Sequence, residues 1–146
     1  MQWGIYINCC FIGHRDAKGI ENIIERNINL LLKSGITDFY SGSSGNFDTL
    51  CEKAVKNLGG KITFVPYNIS QIHSSSNIIF DKIILHFGNK PYSKYDIPNR
   101  NKLLVDHCDV MLCYVYKNGG AKNTLDYAEK SNKKILNIAD ELQIIY

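Results

Sequence analysis

No run of apolar residues in this chain approaches the ~20 that a membrane-spanning helix needs. Stretches such as Cys9-Cys10-Phe11-Ile12 and Val110-Met111-Leu112-Cys113 are far shorter, and Met1-Gln2-Trp3-Gly4 lacks the basic opening of a signal peptide. A cytoplasmic protein with no membrane partner is therefore expected. A strong excess of one charge is also missing: 17 Lys and Arg stand against 14 Asp and Glu, a net +3. That excess helps to attract an anion but is too small to signal nucleic-acid binding by itself. The five cysteines form an odd set without CxxC spacing, and they fall in apolar segments that read as core, so reduced, buried thiols are expected. His14, His73, His86 and His107 show neither i, i+4 pairing nor an H-E-x-x-H arrangement, so no metal site is expected. Tyrosines are scattered rather than interleaved with lysines, which gives a stacking platform for single strands little support.

The chain has 146 residues, 45% hydrophobic and 21% charged, in the ordinary range for one globular domain with its own core. Ile5 to Ile12 is apolar on both faces and ends at Gly13, which suits a central strand covered on both sides. Ile20, Ile23, Ile24, Ile28 and Leu31 recur at helical spacing before Gly35. Asp38 to Ser41 reads as a second strand, Leu50 to Leu58 as a second helix, and Lys61 to Val65 as a third strand. From 66 to 99 serine, asparagine and proline interrupt every pattern, and Ile78 to Phe87 fits a short helix or a strand equally. A helix over Asp96 to Cys108 with Pro98 in its first turn, a strand over Val110 to Tyr116, a helix around Thr124, Leu125 and Ala128, and a strand over Lys134 to Ile138 complete the series.

Strands alternating with helices, with no linker or repeat between them, predict one α/β domain over residues 1–146. Its expected form is a Rossmann-like, doubly wound, mainly parallel sheet of about five strands with helices on both faces. Such sheets bind ligands outside the carboxyl ends of their strands. The loops opening at Gly13, Gly42 and Tyr116 are thus the candidates.

Gly42-Ser43-Ser44-Gly45-Asn46 joins a strand to a helix whose first amides lack internal partners, an arrangement that suits an anion. It matches neither G-x-G-x-x-G nor a P-loop with its lysine, and it also reads simply as a tight turn capped by Asn46. Asp48 either caps amides, accepts a ribose hydroxyl or places a basic side chain. Gly13-His14-Arg15 adds two side chains able to pair with phosphate, although Arg15 is equally able to pair with Asp16, and His14 has no visible partner for acid–base work. Arg100-Asn101 supplies a second guanidinium that alone reads as surface charge. Gly119-Gly120 leads into another helix, with Asn123 or Thr124 as cap or phosphate contact.

Taken in order, Cys9 to Arg15, Phe39 to Asp48, Arg100-Asn101 with Val105-Asp106 and Asp109, and Gly119-Gly120 with Thr124 resemble the SLOG superfamily. Within it the chain looks nearest to the small bacterial and phage proteins of the YpsA and YoqJ type. The resemblance runs from about Ile5 to Ile138. It implies a Rossmann-like fold whose loops, Gly13 to Arg15, Gly42 to Asp48, Arg100 and Gly119 to Thr124, surround a nucleotide or nucleotide-derived small molecule, with no further cofactor required. The same superfamily contains LOG-type phosphoribohydrolases and the DNA-processing protein DprA, so nucleotide hydrolysis and single-stranded DNA binding are the alternatives. The hydrolase motif P-G-G-x-G-T-x-x-E is incomplete here: the proline is absent, the spacing is longer and Tyr127 stands where the catalytic glutamate belongs. Signalling or sequestration of the ligand fits that loss, and a homo-oligomer is left open.

Overall fold

The computed structural model describes residues 6–74, 80–88 and 91–143. The elements run β1 (Asn8–Gly13), α1 (Glu21–Lys33), β2 (Asp38–Ser41), α2 (Asn46–Asn57), β3 (Lys61–Phe64), α3 (Ile69–Ser74), β4 (Lys82–Ile83), α4 (Asp96–Asp106), β5 (Val110–Tyr114), α5 (Gly120–Lys130), β6 (Lys134–Asn137) and α6 (Ile138–Gln143). All strand pairings are parallel, in the order β4-β3-β2-β1-β5-β6.

Successive side chains of a strand point to opposite faces, and the two faces here meet two different cores. Cys9 and Phe11 of β1, Phe39 of β2 and Val110 and Leu112 of β5 pack with Ile24, Ile28 and Leu31 of α1 and Phe47, Cys51 and Val55 of α2. Cys10 and Ile12, with Met111 and Cys113, pack instead with Leu104 and Val105 of α4 and Leu125 and Ala128 of α5. Burial on both faces is why β1 and β5 read as continuous apolar runs rather than as alternating ones. All five cysteines are free and buried in these cores.

The sheet is thus the expected Rossmann-like one, with six strands rather than five. The additional strand, β4, lies in the segment where the sequence signal fails. It has two exposed residues, and its register on β3 (Thr63 with Lys82, Phe64 with Ile83) is made by backbone bonds that leave no hydrophobic periodicity. Nearby, Phe80 stacks on Phe64 with ring centroids 4.5 Å apart. Several boundaries also move. The strand expected to reach Tyr116 ends at Tyr114, the strand expected to include Ile138 ends at Asn137, and the helix expected to reach Cys108 ends at Asp106. Ile5, where the first strand was expected to open, and Met1 to Gly4 lie outside the described residues, as do 78 and 79 of the ambiguous stretch. Among the described residues no helix is long and apolar enough to cross a membrane.

β1 feeds its crossover to one side of the sheet, through β2, β3 and β4, and the chain then returns through α4 to place β5 on the other side of β1. The reversal opens a crevice between the carboxyl ends of β1 and β5. Asn137 holds the β5 side of it. Its side-chain amide donates to the Val115 carbonyl at 2.9 Å, and its oxygen accepts from the Val115 amide at 3.1 Å and the Ala139 amide at 3.1 Å. The pair of bonds continues the strand ladder by one residue through a side chain. Asn137→Ala leaves three backbone groups unpaired at a partly buried edge and is expected to lower stability by about 1–3 kcal/mol, measured by equilibrium urea unfolding.

Candidate functional site

The loop from β2 to α2 is shaped by a buried cation. Arg100, on the second turn of α4, is 1% exposed, and its Nη1 donates to the carbonyls of Gly42 (2.9 Å) and Val65 (3.0 Å). Nη2 donates to the Ser44 hydroxyl at 2.7 Å and Nε to the Asn101 side-chain oxygen at 2.9 Å. The guanidinium is held between the backbone of Gly42 and the ring of Tyr67, whose centroid is 5.6 Å from Cζ. A Cβ on residue 42 would stand 2.5 Å from Cζ, so a side chain there would have to displace the guanidinium from its carbonyls. Burial lowers the Arg100 pKa to about 10, against the nearby Asp48, and the group keeps its charge at neutral pH. Far from the lone surface charge suggested by sequence, Arg100 is a clamp between α4, the end of β3 and the loop.

Gln71 of α3 completes the clamp: its Nε2 donates to Gly42 O at 2.6 Å and Ser43 O at 3.3 Å, while its Oε1 accepts from the Tyr67 amide at 2.8 Å. Ser43 adopts a positive φ of 51°, a left-handed conformation that costs a residue with a side chain of order 1 kcal/mol. It is held there by its amide bond to Ser41 Oγ (3.1 Å) and its hydroxyl bond to Glu52 (3.4 Å). Ser43 therefore turns toward the protein, and Ser44 carries the hydroxyl that lines the crevice. Gly45 passes so close to the next loop that a Cβ would lie 2.7 Å from Arg15 Cα, and the Asn46 amide donates to Arg15 O at 3.0 Å. Asn46 is the first residue of α2 and makes no side-chain cap; Gly45 occupies the N-cap position.

Two carboxyl groups are buried beneath this loop, one turn apart on α2. Asp48 accepts the Ser44 amide at 2.9 Å, so the amide-capping alternative is the observed one, while its remaining oxygen leaves it able to meet a ligand. Glu52, 2% exposed, accepts the Ser41 hydroxyl at 2.6 Å. Desolvation raises the pKa of Asp48 to about 6, opposed by the Ser44 amide, Arg100 and Arg15, and raises that of Glu52 to about 7, opposed by Ser41 and Ser43.

The crevice itself is a cavity of about 230 Å³ lined by Gly13, His14 and Arg15 from the first loop, Ser44 and Asp48 from the second, Arg100 and Asn101 from α4, and Gly120 and Ala121 from α5. Arg15 is exposed at its mouth. Asp16 does not pair with it but with Lys117, Oδ2 to Nζ at 3.3 Å. His14 is 7% exposed and its Nε2 accepts the Tyr116 amide at 3.1 Å, which fixes the proton on Nδ1. Burial and the nearby Lys117 lower its pKa, so the ring is neutral at pH 7. Gly119 is the exposed N-cap of α5, and Thr124 turns its hydroxyl back to Gly120 O at 3.0 Å; neither lines this cavity. Thr124 borders a smaller adjoining one.

Residues of α5 near the missing-glutamate position are engaged elsewhere. Asp126 pairs with Lys122 at 3.0 Å, Glu129 borders a separate cavity, and Tyr127 Oη donates to Asp106 at 2.7 Å. Among the described residues no group of three His, Cys, Asp or Glu is arranged to hold a metal. A roomier groove of about 710 Å³ lies at the amino ends of β5 and β6, but its lining is chiefly apolar, with Leu30, Leu31, Ile36, Val110 and Leu136, and brings no cluster of polar groups together.

A parallel Rossmann-like sheet with a polar crevice at its switch point defines a fold class that other solved structures share. The chain matches no family model, and no curated protein matches it. DNA processing protein A from Streptococcus pneumoniae superposes with a TM-score of 0.70 at 18% identity, over 89% of this chain and 49% of that one. DNA processing protein A from Helicobacter pylori gives 0.67 at 17% identity, over 90% and 64%. The molybdenum cofactor binding protein of the phototrophic bacterium Rippkaea orientalis gives 0.66 at 15% identity, over 94% and 82%. The chain spans about half the length of the pneumococcal protein. At these identities the likeness shows the fold alone, and it is the Rossmann-like fold that the four ordered motifs implied.

Two consequences are measurable. Arg100→Ala strands the Val65 carbonyl, removes one of the donors to Gly42 O and leaves Asp48 without its buried cation, so a loss of about 3–5 kcal/mol is expected in urea unfolding. The carboxyl pair makes stability depend on pH. Both groups keep their protons above the ~4 at which unfolded carboxyls ionise, so the native state binds more protons than the unfolded one and stability falls as pH rises from about 4 to about 7. Glu52→Gln should flatten that slope when melting temperature is followed from pH 4 to pH 8.

Proposed function

We propose that the crevice between β1 and β5 binds a phosphate-bearing small molecule, a nucleotide or nucleotide derivative. One observation carries the proposal: donor-bearing residues from separate loops converge on one cavity whose remaining walls are apolar, Phe11, Ile12, Ile97 and Leu104. Arg15, Arg100, Asn101 and, at the start of α5, Gly120 and Ala121 line it together, while the Ser44 hydroxyl beside them is already spent on Gly42 O at 3.2 Å. By helix geometry the first-turn amides of α5 have no intrahelical partner, and the positive end of the helix dipole adds to their attraction for an anion. Asp48 is the acceptor among them, suited to a sugar hydroxyl rather than to phosphate. In this division of labour Arg15 neutralises the anion, the α5 amides bond its oxygens, and Gly13, Gly42 and Gly45 let the loops close around it. Ser43, Asn46, Gly119 and Thr124 support the loops from outside the cavity.

The solved structures of this fold fit either a small ligand or a nucleic-acid strand, since the H. pylori protein binds single-stranded DNA and the R. orientalis protein binds molybdenum cofactor. A cavity of about 230 Å³ and a net charge of only +3 favour the small ligand. The proposal is binding and does not include turnover, because α5 sends no carboxylate into the cavity.

Isothermal calorimetry of the full chain against nucleoside mono-, di- and triphosphates tests this. Arg15 is exposed and its side chain clamps nothing, so Arg15→Ala is expected to weaken binding by about tenfold or more with unfolding unchanged. Absence of heat and of thermal stabilisation across the panel would falsify the proposal.

A further inference from the structure

The crevice does not end at its polar cavity. A second compartment, about 120 Å³, continues from it between the first turns of α4 and α5, and the two share Ile97, Asn101 and Gly120 as a common wall. Its chemistry differs. Where the first cavity presents guanidinium, hydroxyl and amide groups, the surface of the second is chiefly apolar, with Ile97, Pro98 and the ring of Tyr127, and Asn101, Lys102, Asn123 and Thr124 complete its lining. An apolar slot with a few polar edge groups is the form taken by sites for planar heterocycles.

The ring of Tyr127 is fixed in place rather than left to rotate. Its hydroxyl donates to Asp106 Oδ1 at 2.7 Å, a bond from α5 across to the last turn of α4, and Lys102 Nζ lies over the ring 5.8 Å from its centroid. Because the hydroxyl is used on the side of α4, the ring contributes apolar surface to the slot. The edge groups are donors: Lys102, and the amide of Asn101, whose oxygen is already taken by Arg100 Nε. Asn123 adds a second amide.

We infer that the ligand is bipartite, with its anionic group in the cavity of Arg15 and Gly120 and a planar, hydrogen-bond-accepting heterocycle in the adjoining slot against Tyr127. The inference rests on the proposed function, because it needs the polar cavity to hold the anion. It goes further by assigning a ring-binding surface to α5 at the position where the resembled hydrolases carry their glutamate. The shared wall at Gly120 means that one molecule of nucleoside monophosphate size reaches both compartments without a long linker. An aromatic ring at position 127 thus exchanges a reacting group for a recognition surface.

The test compares AMP and GMP with ribose 5-phosphate, which has the anion and sugar but no ring, on the full chain by calorimetry. At least one nucleotide is expected to bind about tenfold more tightly than ribose 5-phosphate, as one ring stacked on an aromatic side chain supplies. Tyr127→Ala should erase that advantage while leaving ribose 5-phosphate binding unchanged, and Tyr127→Phe, which keeps the ring and drops the bond to Asp106, should retain most of it. If ribose 5-phosphate binds and the nucleotides gain nothing over it, or if Tyr127→Ala weakens all three alike, the ring slot is refuted and the anion cavity stands. If none of the three binds, the slot is refuted together with the cavity it depends on.

Discussion

A single buried cation organises the carboxyl edge of the sheet in this protein. Arg100 is almost wholly excluded from water, and its guanidinium has to be met by acceptors on every side. Those acceptors are backbone carbonyls of Gly42 and Val65 and the side chains of Ser44 and Asn101, contributed by three separate parts of the chain. Satisfying the cation therefore fixes the β2–α2 loop, the end of β3 and the start of α4 relative to one another. The left-handed Ser43, the bonds from Gln71 and the glycine at position 42 all follow from bringing backbone up to a flat, charged plane.

The same cation makes room for Asp48. A carboxyl with its Ser44 amide, and with Arg100 and Arg15 nearby, stays in the interior at the cost of a raised pKa, and Glu52 behind it is tolerated through the hydroxyls of Ser41 and Ser43. The edge of the sheet thus carries a compact set of buried polar groups balanced against each other. Such a network is stable as a whole and weak to the removal of any one member, because each remaining group would then be buried without its partner.

Most of the fold was legible in the chain. The two-sided apolar runs of β1 and β5, the helical spacing of Ile20 to Leu31 and the glycines Gly13, Gly42 and Gly119 after β1, β2 and β5 led to a parallel α/β sheet, since burial on both faces leaves a composition that no exposed strand shares. The strand β4 and helix α3 were not legible. Lys82-Ile83 is held by backbone bonds and exposes both side chains, and α3 has a single buried residue, Gln71, whose value lies in the two carbonyls it reaches. Short elements with polar anchors leave no periodic trace. Glu52 carried a faint signal, an acid one helical turn beyond Asp48, but its burial depended on hydroxyls from β2 and the loop.

By itself, the sequence determined which loops would gather at the carboxyl edge, because strand order and right-handed crossovers leave few other arrangements. It did not determine which residues in those loops face a ligand. Gly42, Ser43, Ser44 and Gly45 read alike as a glycine–serine turn, yet only Ser44 of the two serines lines the cavity, since Ser43 is drawn inward by Glu52. Arg15 and Arg100 read alike as basic residues near strand ends, yet one is exposed and the other is a buried clamp. Those distinctions rest on partners far away in the chain, Gln71, Val65 and Glu52. Only the tertiary structure brings them within hydrogen-bond distance, and only it decides which polar groups are already satisfied and which remain for a ligand.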